Sequence, residues 1–113
     1  AFDGISFWAK GTASNNVRFL AVIPATDPTK GIGDCNPASM TCSDHPGKLF
    51  TFSSDWQPYY AAWSELKQYG WGTKASLSNV INAVLWIDDG PVTDFDFSID
   101  EVALYQGAAP VAP

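Results

Sequence analysis

The chain predicts an all-β fold: a single-domain antiparallel β-sandwich, jelly-roll-like, with two sheets. Three observations carry that expectation. Apolar residues alternate with period two in several short runs, no window shows a sustained helical stripe between capping residues, and clusters of Gly, Pro and Asp punctuate the runs. With 113 residues, 46% hydrophobic and 16% charged, the chain has enough apolar side chains for one core and too few charges for a disordered tail. Each sheet of such a fold needs a partner to bury its apolar face, which is why a sandwich is expected.

The first strand spans Gly4 to Lys10, with Ile5, Phe7 and Ala9 on one face, Ser6, Trp8 and Lys10 on the other, and Gly11 ending the run. The second spans Val17 to Ile23. It sends Val17, Phe19, Ala21 and Ile23 one way and Arg18, Leu20 and Val22 the other, and Pro24 stops it. From Ala25 to Lys48 the chain is rich in turn formers, and so long a loop needs either a function or a clip. Cys35 and Cys42 lie within it, and a small disulfide-closed loop in an oxidising compartment is the expectation. A metal reading is weaker: there is no CxxC, and the lone His45 offers one nitrogen where zinc needs about four ligands.

Leu49 to Ser53 makes a short third strand and Gln57 to Trp63 a fourth, followed by one helical turn over Ser64 to Lys67 and a Gly70, Trp71, Gly72 loop. Asn79 to Ile87 is a fifth strand with a nearly continuous apolar run. After the Asp88, Asp89, Gly90, Pro91 turn, Phe95 to Leu104 is the last. Residues 1–106 form the expected sandwich and residues 107–113 a linker-like tail of small residues and proline.

Charge excludes one class of partner. A formal charge of -6 repels a phosphate backbone, so no nucleic acid is expected. No stretch approaches the roughly 18 apolar residues of a membrane helix, and no membrane partner is expected. Ala1 to Asp3 lack the basic and apolar regions of a signal peptide, so an export signal is expected to have been removed or to lie upstream.

Five Trp, four Tyr and seven Phe make 14% of the chain aromatic. If Ile5, Phe7, Phe19, Tyr59, Ala61, Leu85, Ile87, Phe97 and Ile99 point inward, then Trp8, Tyr60 and Trp86 face solvent. A row of exposed rings suits the apolar faces of sugar rings. Packing under a neighbouring loop is the competing reading for Trp8 and Trp86. Tyr69 and Trp71 sit in a Gly-flanked loop, as exposed rings or as a plug at the end of the sandwich. Trp56 and Trp63 bracket the fourth strand, with Trp63 assigned to the core. Gln57, Asn82, Arg18 and Lys10 are taken as outward polar groups, Gln57 and Asn82 being the hydrogen-bond partners for sugar hydroxyls.

Catalysis is not expected. A glycosidase needs two convergent carboxylates, and nothing in the placement of Glu65 and Glu101 makes them converge; a Ser/His/Asp arrangement would need the loop residue His45. Abundant aspartates, among them Asp27, Asp34, Asp44, Asp88, Asp89, Asp94 and Asp96, are either turn residues or oxygen ligands for a structural Ca2+. Asp3 with Asp100, or the loop from Asp27 to Asp44, are the candidate metal positions.

Several runs carry a family resemblance: DGISFWAKG at Asp3 to Gly11, VRF at Val17 to Phe19, CSDH at Cys42 to His45, DWQPYYAAWSELKQYGWG at Asp55 to Gly72 and FDFSIDEVAL at Phe95 to Leu104. Together they resemble the β-sandwich carbohydrate-binding modules appended to bacterial plant-cell-wall hydrolases, most of all carbohydrate-binding module family 81. The resemblance implies a secreted, non-catalytic module that holds an attached endoglucanase on β-1,4- or mixed-linked glucan, cellulose-like or xyloglucan polysaccharide, with calcium as a structural ion. Related larger modules carry outward glutamines on the strand matching Val80 to Ile87, where this chain has Val84 and Trp86, and carry additional strands before the DGISFWAKG element. Those departures imply an open, flat platform. Trp8, Tyr60, Trp71, Trp86 and Tyr69 are its candidate stacking residues. A structural or protein-interaction sandwich of a secreted multidomain protein is the alternative.

Overall fold

β1 (Gly4–Gly11) and β2 (Asn16–Val22) are the central strands of two separate sheets, and four later strands flank them. The computed structural model describes residues 2–11, 16–31, 33–75, 81–89 and 96–108. The other strands are β3 (Gly47–Phe50), β4 (Gln57–Ala62), β5 (Ala83–Asp89) and β6 (Phe97–Tyr105). One sheet has the order β4-β1-β6 and the other β3-β2-β5, with every pairing antiparallel. The fold is the expected β-sandwich. β3 begins at Gly47 and not Leu49, and the fifth strand is regular only from Ala83. Asn79 and Phe95, expected strand ends, lie outside the described residues, as does most of the 107–113 tail.

The core is an aromatic stack between the sheets. Phe7, 1% exposed, meets Phe19 at 6.1 Å, Phe50 at 5.3 Å, Phe52 at 6.3 Å, Tyr59 at 5.8 Å and Trp86 at 5.3 Å between ring centroids. Several of these pairs are edge-to-face, the arrangement that the ring quadrupole favours. Ile5, Ala9 and Ala61 complete the buried centre. The parity expected for β1 holds throughout that strand.

The expected parity of β5 does not hold. Phe19 pairs with Trp86, so the indole shares the inward face of Phe19, with the ring centroids 5.4 Å apart. Leu85 and Ile87, expected inside, stand on the outer face at 42% and 41% exposure. The physical reason is that the run AVLWI has no alternation, so only its register against β2 decides which set is inside. Burying the indole removes more apolar surface than burying a Leu or Ile.

Candidate functional site: the outer face of the β4-β1-β6 sheet

Three rows of side chains form this face. The β1 row is Ser6, Trp8 and Lys10. Trp8 pairs with Pro58 on β4 and with Asp100 on β6, and Ser6 pairs with Tyr60 and Ala103. Trp8 therefore occupies the centre of the face, and Tyr60 lies on the same face two rows along. Both are half-buried. Trp56, just before β4, has the parity of Pro58 and Tyr60 and is 40% exposed, with the Lys10 ammonium 5.2 Å from its ring centroid. A Ser53 turn precedes it: the Ser53 hydroxyl accepts from the Asp55 amide at 3.2 Å and donates to the Asp55 carbonyl at 2.9 Å, and the Gly11 amide donates to the Ser53 carbonyl at 2.8 Å.

β6 contributes the irregularity. Ser6 pairs with Ala103 but Trp8 with Asp100, so two residues, Glu101 and Val102, stand where regular pairing allows one. This β-bulge holds Glu101 at φ 51, the left-handed region that disfavours a side chain. The Asp100 carboxylate accepts from the Glu101 amide at 2.8 Å. Trp8, Trp56, Asp100 and Glu101 line an open cleft of about 300 Å³. A second cleft of about 320 Å³ is lined by Lys10, Gly11, Ser54, Asp96, Phe97 and Ser98, the next residues along the same strands.

A second set of rings is presented elsewhere, by the loop after β4. Asp44 organises it: its carboxylate accepts from the amides of Tyr69 at 3.0 Å, Gly70 at 2.8 Å and Gly72 at 3.0 Å. Burial by itself would raise the Asp44 pKa. The amides of Gly72, Gly70 and Tyr69, helped by Arg18, outweigh it and hold the carboxyl below its usual 3.8. A Cβ at Gly72 would collide with Asp44 and the Thr41 carbonyl, so the close approach requires glycine. Arg18 is buried under this loop, its guanidinium 3.9 Å from the Tyr69 ring centroid and donating to the Lys67 carbonyl at 2.7 Å. Tyr69 and Trp71 are each 58% exposed.

The long loop is clipped as expected, by a disulfide between Cys35 and Cys42. Thr41 then pairs with Thr73 through both hydroxyls, 2.7 Å, and through the Thr73 amide to the Thr41 carbonyl, 2.8 Å. Asp27 accepts from the Thr29 amide at 2.9 Å and from Asn82 at 2.9 Å, and these hydrogen bonds lower its pKa. His45, buried, lies 2.8 Å from the Thr26 hydroxyl; burial pushes its pKa below 6.5 despite the nearby Asp27 and Asp44.

Of the residues singled out from sequence, the structure brings Trp8 and Tyr60 together on one face and places Tyr69 and Trp71 on a separate loop. Trp86 is not on any outer face, for the register reason given above. Gln57 pairs with Ala9, giving it the inward parity of Tyr59 although it is exposed at the strand end, so it does not join the Trp8 face. Asn82 is likewise corrected: its amide is engaged with Asp27, tying the start of β5 to the long loop. Asp3 and Asp100 do not converge either. They lie five ladder positions apart, roughly 17 Å at strand spacing, and Asp3 accepts from the Gly107 amide at 2.6 Å. Among the described residues no three His, Cys, Asp or Glu side chains cluster as metal ligands. Asp94 lies outside the described residues. Glu65 pairs with Lys48 at 2.7 Å and accepts from the Ala62 amide at 3.0 Å, closing the sandwich edge.

Trp63 packs against the core, as expected, and its indole N–H donates to the Phe2 carbonyl at 3.0 Å. The residue that sequence reasoning missed is Trp56. The signal was present in Trp56, Pro58 and Tyr60, three alternate positions on one face. Asp100 and Glu101 were missed as partners of Trp8, because a bulge leaves no mark in period-two alternation. Compared with known proteins, the chain matches no family model, no curated protein and no solved structure.

Proposed function

We propose that this is a non-catalytic carbohydrate-binding domain that takes β-1,4- or mixed-linked glucan on the outer face of the β4-β1-β6 sheet. One observation carries the reading: Trp8, Trp56 and Tyr60 share a single sheet face with polar groups beside them, while the core already has its own aromatic filling. Rings held on or beside strands lose little freedom when a pyranose face settles on them, and such contacts contribute about 1 kcal/mol each beyond area burial. The disulfide suits an oxidising, extracellular setting, and attachment to a glycoside hydrolase follows from the family resemblance. Among the described residues no helix is long and apolar enough to cross a membrane.

Affinity electrophoresis in mixed-linked β-glucan tests this. Trp8→Ala and Trp56→Ala are expected to weaken retardation about fivefold or more each while keeping the wild-type circular dichroism spectrum at the assay temperature. Unchanged retardation in both variants would reject the face.

A second reading has its own support. Leu49, Leu85 and Ile87, at 43%, 42% and 41% exposure, line the outer face of the other sheet beside Arg18. Such an apolar face suits a neighbouring protein domain. Absence of binding in a glycan screen, with self-association lost in Leu85→Glu, would favour it.

A further inference from the structure

Resting on the glucan reading, the same face bears on which polysaccharides it admits. The two clefts follow one another along β1 and β6, from Glu101 to Asp96, five residues or roughly 17 Å of strand. The two clefts share no lining residue, and their succession along the strands suits an internal run of a chain better than one sugar. Its β6 wall is acidic at Asp96, Asp100 and Glu101. Among the described residues none of these three carboxylates forms an ion pair. Lys10 lines the second cleft beside Asp96, with its ammonium 5.2 Å from the Trp56 ring centroid, so the charge that opposes a uronate is that of Asp100 and Glu101 in the indole cleft. Asp100 uses one oxygen on the Glu101 amide, and its other oxygen and the Glu101 carboxylate have no donor among the described residues.

We infer that the groove reads the charge of its ligand: Asp100 and Glu101 accept hydrogen bonds from the hydroxyls of an uncharged glucan stacked on Trp8 and Trp56, and reject polysaccharides that carry uronate groups. A carboxylate is an acceptor only, so it complements a ligand rich in hydroxyl donors. A ligand carboxylate in the same cleft would meet like charge on its polar wall, in a protein whose net charge is already -6. The bulge is the structural device. Regular pairing would give Glu101 the inward parity of its neighbour Phe7, whereas the extra residue at φ 51 brings it to the rim of the indole cleft.

The matched probes are one neutral mixed-linked β-glucan and the same polymer oxidised at C6 to uronate, titrated against the wild-type domain and against Asp100→Asn and Glu101→Gln by affinity electrophoresis at low salt. Both substitutions keep size while exchanging one acceptor oxygen for an N–H donor group and removing the charge, and circular dichroism checks that they fold. The wild type is expected to bind the neutral polymer at least tenfold more tightly than the oxidised one. Glu101→Gln and Asp100→Asn should each lose about threefold to tenfold on the neutral polymer and narrow the discrimination. Equal wild-type affinity for the two polymers, or unchanged affinities in both variants, overturns the inference while leaving the platform standing. Failure of the wild type to bind the neutral polymer overturns the platform itself, and the inference with it.

Discussion

Replacing Trp86 by alanine separates a core role from a binding role. The indole packs 5.3 Å from Phe7 and 5.4 Å from Phe19, at the meeting point of the two sheets. Removing a core aromatic costs about 3 to 5 kcal/mol. Two features place this site at the low end: Trp86 is half-buried, and its indole N–H is buried without an acceptor among the described residues, a deficit that the substitution relieves. The expected loss is therefore about 3 kcal/mol, or a melting temperature lower by about 12 °C at this chain length. Thermal unfolding followed by circular dichroism reads the loss, and glucan affinity measured well below the new melting point should stay at the wild-type value. Trp86→Phe retains ring contact and drops the unpartnered donor, so its loss should be about 1 kcal/mol. A Trp86→Ala variant with wild-type stability and abolished glucan binding would refute the placement of β5.

Two further outcomes follow from the long loop between β2 and β3. Asp27 and Asp44 have folded-state pKa values below 3.8, so the unfolded chain binds protons more readily and stability is lost as pH falls through that value; His45, depressed below 6.5, adds an earlier loss that starts as pH drops past about 6.5. Urea midpoints at pH 7.5, 5.5 and 3.5 should fall in that order, and His45→Gln should flatten the upper segment; midpoints that rise on acidification would contradict the assignment. Replacing both cysteines by serine should cost about 2.5 kcal/mol for a closure separated by 7 residues, with Trp8-face binding preserved, since that face contains neither cysteine. Loss of glucan binding with the disulfide would mean that the ligand reaches the loop instead.

The sandwich was legible because β1 alternates cleanly: Ile5, Phe7 and Ala9 against Ser6, Trp8 and Lys10 can bury apolar surface in only one way. The same parity put Trp8 and Tyr60 on the outer face. Where alternation lapses, legibility ends. β2 is buried on both faces; on its outer side Arg18 is covered by Lys67 and Tyr69, and no local pattern announces that cover. Asn82 looked like a free polar residue until its partner, Asp27, arrived from 55 positions away.

From the order of its residues alone this chain had an all-β architecture, a clipped loop and an excess of rings over what one small core needs, because short-range periodicity, turn chemistry and cysteine spacing are properties of neighbouring residues. Which rings fill the core and which face water was decided only by tertiary pairing. The register of β5 against β2 turned Trp86 inward, and one extra residue in β6 set two carboxylates beside Trp8. Both outcomes depend on contacts between strands distant along the chain, where a shift of one residue exchanges the two faces of a sheet.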